Sequence, residues 1–230
     1  MTAINALVRR DRVHLVTDGA VYQPDGAVIG SMQKAYILAQ ADAVLAYRGP
    51  RYIGPTLYGC LNGSSLSSLD DLLSKLIPAV RHTLDSLSEL DPAEVAAAST
   101  RLDLRRAEVV VAGWSRVRRR GEIYKLDSSA PEWRIEPQGE GFIMPGDNPA
   151  LIARLQAHGW DLSDERQDER RLLELLNHQR AVADVLPDGA RFSTVGAFAQ
   201  HTVITAQGIS TRILERWPAA QPSEAPRWSP

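Results

Sequence analysis

The 230-residue chain has one cysteine, Cys60, which excludes an intrachain disulfide and any cysteine-built zinc cage. It has no apolar run approaching the ~20 residues that cross a bilayer, so no spanning helix is expected. Its N-terminus lacks the apolar stretch of a secretory signal, because Arg9, Arg10, Asp11 and Arg12 interrupt it early. It also has no excess of charge: the formal net charge of −2 gives no electrostatic case for nucleic acid or a membrane surface as partner. His14, His82, His158, His178 and His201 show no metal-ligand spacing, so neither metal nor cofactor is expected. These absences leave a soluble cytoplasmic protein, with 44% hydrophobic and 23% charged residues. Its size suits one domain over 1–217, and the Pro-, Ser- and Ala-rich segment 218–230 reads as a disordered tail.

The chain begins with strand signals. Thr2–Val8 and Val13–Thr17 are short and β-branched, and a polar turn divides them into a hairpin. Gln23-Pro24-Asp25-Gly26 reads as a turn. Lys34–Leu38 and Ala43–Tyr47 form a second pair, ended by Arg48-Gly49-Pro50. Ile53–Leu61 is weakly helical, with Cys60 expected in its core face. Leu69–Leu87, capped by Ser68, repeats leucines every three or four residues, with Pro78 set to bend or split it. Ser88–Ala98 reads as a short helix or a surface loop.

Strands return at Glu108–Trp114, Glu122–Leu126 and Trp133–Glu136. The arginine-rich bridge Arg116–Arg120 reads as a solvated hairpin loop rather than a nucleic-acid patch. Helices follow from Asn148-Pro149 to Ala157 and over Asp164–Ala183, the latter amphipathic with Glu165–Arg171 as a solvated face. Phe198–Thr205 and Ile209–Glu215 close the chain as a hairpin. The order of strands, helices, strands, helices and strands suits an α+β fold. Two antiparallel sheets would pack together under helices on both sides, as a four-layer αββα sandwich.

The chemistry points to the start of the chain. Removal of Met1, common before a small residue, would leave Thr2 with a hydroxyl and a free α-amine, a nucleophile carrying its own general base. Asp18 and Lys34 stand 16 and 32 residues beyond it. An α-amine with an unperturbed pKa near ~7.7–8.0 is partly neutral at working pH. A nearby Lys34 ammonium would lower it further, and Asp18 would keep that lysine charged and aimed inward.

Thr2, Ile4 and Ala6, then Val16-Thr17-Asp18, Lys34-Ala35-Tyr36 and Arg48-Gly49 together resemble the opening of proteasome β subunits and of related bacterial peptidases. Val110–Gly113 with Ile123–Asp127, and His201–Thr205, resemble that family's later strands. The resemblance implies the N-terminal nucleophile hydrolase fold and a threonine-type peptidase or amidohydrolase without cofactor. Thr2 would be its nucleophile, Asp18 and Lys34 its supporting pair, and the Gly49 N–H its oxyanion donor. It also implies a peptide or protein substrate, a homo-oligomer, and an ATP-dependent unfoldase as partner. The substrate pocket would lie near Ala20-Val21, Ser31 and Tyr47. Two places depart from the family. Met144-Pro145-Gly146-Asp147 stands where a Gly-Ser-Gly turn is found, so Asp147 would have to substitute for the serine. Asp184 can match a conserved-type aspartate, but the segment 187–190 displaces the serine that should follow. The alternative is a non-catalytic or weakly active assembly subunit of the same architecture.

Overall fold

A computed structural model describes residues 2–22, 28–90, 106–182, 184–185, 191–193 and 195–218, with backbone only at 88–90, 184–185 and 191–192. The Gln23–Gly26 turn, residues 91–98 and the tail from 219 onward lie outside the described residues.

The first sheet is built from the two ends of the chain. Strands β1 (Ile4–Val8) and β2 (Arg12–Asp18) form the expected hairpin, with Ile4 opposite Thr17 and Val8 opposite Val13. Next come a small antiparallel pair, β3 (Ala20–Tyr22) and β4 (Val28–Ser31), then β5 (Ala35–Leu38) and β6 (Ala43–Arg48). After two helices, the long hairpin β7 (Glu108–Ser115) and β8 (Arg120–Asp127) is followed by β9 (Ile135–Pro137) and β10 (Gly141–Met144). A two-residue pair, β11 (Asp184–Val185) and β12 (Arg191–Phe192), precedes β13 (Phe198–Thr205) and β14 (Gly208–Arg216). The two large sheets are antiparallel and five-stranded, in the orders β10-β1-β2-β13-β14 and β5-β6-β7-β8-β9. The fold is thus α+β, as read from the sequence.

Period-two patterning explains how these sheets are covered. Along β7 every residue is buried: Val109 and Val111 join one core cluster, and Val110 and Ala112 another. Along β1, Ile4 and Ala6 meet Val44, Val110 and Ile123 of the other sheet, whereas Leu7 and the preceding Ala3 pack with Leu172 and Leu176. One cluster therefore lies between the sheets and a further one lies on the opposite face of each.

Helix α1 (Ile53–Asn62) buries Ile53, Gly54, Leu57 and Leu61 against β6. Cys60 falls just past the edge of that arc and is exposed, which corrects its expected place in the core. Helix α2 (Leu69–Leu90) starts where Ser68 Oγ accepts the Asp71 N–H at 3.1 Å, and it runs unbroken through Pro78 and past Ser88. Its leucine stripe (Leu69, Leu72, Leu76, with Val80 and Leu84) packs beside Leu45 and Val111.

Helix α3 (Pro149–Ala157) is capped by Asn148, whose Oδ1 accepts the Ala150 N–H at 2.9 Å. The long helix expected over Asp164–Ala183 is shorter. A 3₁₀ turn occupies Glu165–Gln167, and α4 spans Asp168–Ala181. Asp164 Oδ1 accepts the Arg166 N–H at 3.2 Å, a local bond that competes with α-helix formation. At the other end Val182 is already extended.

Pro137 sits on β9, an edge strand where its missing N–H leaves no ladder bond unmade. At the β7–β8 hairpin, Arg116 pairs with Asp42, Arg118 with Asp70 and Glu122, and Arg120 with Glu122, so these three arginines are paired locally.

Candidate active site

The end of β2 places Asp18 where the two sheets and the β3–β4 pair meet, and its side chain is fully buried. Its carboxylate collects donors from four parts of the chain. Oδ1 accepts the Ala3 N–H at 3.0 Å and Lys34 Nζ at 3.0 Å. Oδ2 accepts Lys34 Nζ at 3.1 Å, the Ala20 N–H at 3.1 Å, the Gly196 N–H at 3.2 Å and the Tyr22 hydroxyl at 3.3 Å. Burying a carboxylate is costly unless it is hydrogen-bonded or paired, and Asp18 has both kinds of support.

Lys34 immediately precedes β5 and is 4% exposed. Burial pushes its ammonium below the ordinary lysine value, while the charge and hydrogen bonds of Asp18 oppose that shift. Thr2 is 6% exposed and enters the sheet one residue before Ala3, whose amide is clamped on Asp18. Asp18 thus brings together Lys34 and the peptide that follows Thr2.

Gly49 lies just beyond β6. The β5–β6 register sets Ala35 opposite Ala46, so Lys34 falls across from Tyr47, two residues before Gly49. Gly49 has φ = 144°, a conformation that favours glycine, and a Cβ there would stand 2.8 Å from the Arg106 carbonyl oxygen. Its backbone is therefore fixed by glycine chemistry and by the chain entering β7. The preceding Arg48 is held by Glu108, 3.1 Å from its Nη1, and Glu108 also pairs with Lys125 at 2.9 Å.

The expected pocket residues are not equivalent. Ala20 is buried and pairs with Ser31, which is exposed on β4. Tyr47 is 2% exposed, lies against Gly54 of α1 and donates its hydroxyl to the Arg51 carbonyl at 2.8 Å. It belongs to the core under α1, not to an open wall. Its neighbour Tyr36 is half-buried, and desolvation pushes its phenol up to about 12.

Behind β1 a second polar cluster fixes the strand ends. Asn5 and Gln179 exchange amide hydrogen bonds at 2.7 and 3.1 Å, and Gln179 Nε2 also reaches the Met144 and Pro145 carbonyls, each at 3.2 Å. Asp147 follows that turn and is exposed, and Asp184 is described in backbone only. Among the described residues, no group of three or more His, Cys, Asp or Glu could hold a metal ion, and no helix is long and apolar enough to cross a membrane.

Sequence reasoning missed Tyr22 and Gly196 as partners of Asp18. Gly196 contributes a backbone N–H, which leaves no mark on residue identity. Tyr22 stands four residues beyond Asp18 in a strand too short to be read by periodicity.

No protein-family model and no curated protein matches the chain. Solved structures do share its fold. A Gly-1 mutant of Anbu from Hyphomicrobium sp. strain MC1 superposes with a TM-score of 0.63 at 10% identity, covering 94% of this chain and 88% of that one. Anbu, an ancestral beta-subunit, from Yersinia bercovieri gives 0.63 at 9% identity, covering 93% and 88%. At such identity the likeness establishes the fold alone. The Yersinia protein is itself a beta-subunit, so the shared fold agrees in kind with the resemblance read from the first fifty residues.

Proposed function

We propose that the chain is a threonine-type peptidase or amidohydrolase resembling a proteasome β subunit, with Thr2 as nucleophile once Met1 is removed. The observation that carries this reading is the buried Asp18–Lys34 pair, anchored on the amide directly after Thr2. The three core clusters support the matching architecture, an αββα sandwich of four layers.

In this reaction the Thr2 hydroxyl attacks a peptide carbonyl carbon, and its proton passes to the Thr2 α-amine. Lys34, held charged by Asp18, keeps that amine's proton affinity low and stabilises the developing alkoxide. The Gly49 N–H stabilises the tetrahedral oxyanion, a contribution whose loss typically costs ~10²–10³ in rate. Collapse expels the leaving amine, which takes the proton from the α-amine, and leaves an ester on Thr2. Water hydrolyses that ester by the same path in reverse. A homo-oligomer in the cytoplasm, fed with protein by an ATP-dependent unfoldase, completes the proposal.

Intact mass and active-site labelling test it. The expected result is a chain lacking Met1 that gains one adduct at Thr2 from a β-lactone or epoxyketone, with no adduct on the Thr2→Ala variant. Retention of Met1, or equal labelling of both proteins, overturns the nucleophile assignment. Lys34→Ala should lower labelling by at least about 10²-fold. It should leave a folded protein, because the three backbone N–H groups of Ala3, Ala20 and Gly196 still serve Asp18.

The exposed position of Asp147, where the family has a supporting serine, favours a second reading. In that reading the chain is an assembly subunit that does not turn over substrate, and a Met1-free protein that takes no label is its signature.

A further inference from the structure

We propose that Tyr22 is a positioning residue of the Asp18–Lys34 pair, its ring shielding the lysine ammonium from water and its hydroxyl holding one carboxylate oxygen. The proposal rests on the reading of Thr2 as nucleophile for its consequence, but on geometry for its substance. Tyr22 ends β3, four residues past Asp18, and is half-buried. Its hydroxyl donates to Asp18 Oδ2 at 3.3 Å. Lys34 Nζ lies 5.5 Å from its ring centroid, within the range of a cation–π contact.

Among the described residues, Tyr22 is the one side chain that meets both members of the pair. Among the described residues, the other donors to Asp18 besides Lys34 are the backbone amides of Ala3, Ala20 and Gly196. Those amides serve the carboxylate and not the ammonium. A lysine amine that is to stay charged yet poorly hydrated needs an electron-rich, apolar cover. An aromatic ring provides that, where an aliphatic one would give only exclusion of water. The phenol adds a neutral hydrogen bond to Oδ2, which orients the carboxylate without competing for its charge. Tyr22 therefore sits between the pair and the β3–β4 side of the molecule.

The chain's lysines are Lys34, Lys75 and Lys125, so amine acylation reads them individually. The full-length protein is treated with sulfo-N-hydroxysuccinimide acetate at about pH 8, and the rate at Lys34 is taken relative to Lys75, which is more exposed. Tyr22→Leu and Tyr22→Phe are compared with wild type, alongside the pH profile of β-lactone labelling at Thr2.

The expected results are a rise of at least about fivefold in the Lys34:Lys75 ratio for Tyr22→Leu and less than about twofold for Tyr22→Phe. Labelling of Thr2 should slow by roughly tenfold in the first variant and threefold in the second, each with a displaced pH profile. Wild-type protection of Lys34 in a folded Tyr22→Leu protein overturns the proposal. So does lost protection with an unchanged labelling profile, because the cover would then be without consequence for the reaction. If Tyr22→Leu does not fold, Tyr22→Phe decides, and a wild-type labelling profile in it overturns the role of the hydroxyl and with it the proposal. If the wild-type protein takes no label at Thr2, the assignment of the nucleophile fails, and the acylation ratio still decides whether Tyr22 shields Lys34.

Discussion

Acid should loosen this protein through two histidines buried under α4. His14 on β2 and His201 on β13 stack with rings 6° from parallel, and His14 Nδ1 lies 3.0 Å from His201 Nε2. Asp168 faces His14 at 3.7 Å, and Glu169 lies 3.1 Å from His201 Nδ1 but off the line of a hydrogen bond. Arg9 and Arg12 near the β1–β2 turn and Arg212 on β14 complete the charged surroundings.

Because Arg9 already neutralises Asp168 and Arg212 already neutralises Glu169, a proton on either ring would be a surplus buried charge. Burial first, and then His14, push His201 down to about 4 from 6.5, with Glu169 opposing. Burial likewise lowers His14. The sign follows from linkage. Above pH ~6.5 both folded and unfolded chains hold neutral rings and the pair has no effect. Between ~6.5 and ~4 the unfolded chain takes up protons that the folded one refuses, so stability falls with pH and levels off below. For His201 alone the loss is about 2 kcal/mol at pH 5 and about 3 kcal/mol at its limit, at about 1.4 kcal/mol per pH unit.

Urea unfolding at pH 7 and pH 5 measures it, with the double variant His14→Gln/His201→Gln as reference to remove the contribution of carboxylates. Wild type should lose about 2 kcal/mol more than the variant over that interval. Equal losses, or a wild type more stable at pH 5, would refute the argument.

Three other outcomes follow from single positions. Gly49→Ala must adopt φ = 144° with a methyl 2.8 Å from the Arg106 carbonyl, so a stability loss of about 1–3 kcal/mol should appear in urea unfolding. Gln179→Leu strands the buried Asn5 amide and the Met144 and Pro145 carbonyls, and about 2–3 kcal/mol should be lost in the same assay. Cys60 is exposed beside a cavity of about 250 Å³ lined by Leu61, Lys75, Pro78 and His82. The native protein should therefore titrate one thiol with a disulfide reagent before unfolding, and a thiol that reacts only in denaturant would contradict the placement.

Most of the sheet strands were legible because burial on two sides leaves a continuous apolar signal. EVVVAGWS at β7 is buried at every position, and the alternation along β13 is set by two cores. What stayed hidden was whatever depended on a partner far along the chain. The strand β10 is four residues long and begins at Gly141; it exists because Phe142 and Met144 can lie against Ala6 and Ile4 of β1. The pair β3–β4 is as short, and β4 is exposed throughout, so no period marks it. Cys60 was misplaced because a weakly periodic helix gives no sharp edge to its buried arc. The 3₁₀ turn before α4 was lost to a local competition between the Asp164 side chain and the helix, which hydrophobic periodicity does not register.

The site divides along the same line, and the division bears on its chemistry. Thr2, Asp18 and Lys34 were visible because the proposed reaction asks for particular side chains at particular separations. The groups that hold the Asp18 carboxylate are mostly backbone amides, and any residue but proline can supply those. Ala3, Ala20 and Gly196 bring them from the residue before β1, from the start of β3 and from the approach to β13. The last of these arrives 178 residues away in sequence. Such donors are fixed by the fold and cannot ionise, so the carboxylate is held whether or not the lysine is present. The lysine by contrast depends on Asp18 for its charge in a setting where burial opposes it. The dependence runs one way: Asp18→Asn should disturb Lys34 more than Lys34→Met disturbs Asp18. Residue identity marks the groups of the proposed reaction, and topology supplies the amides that hold them.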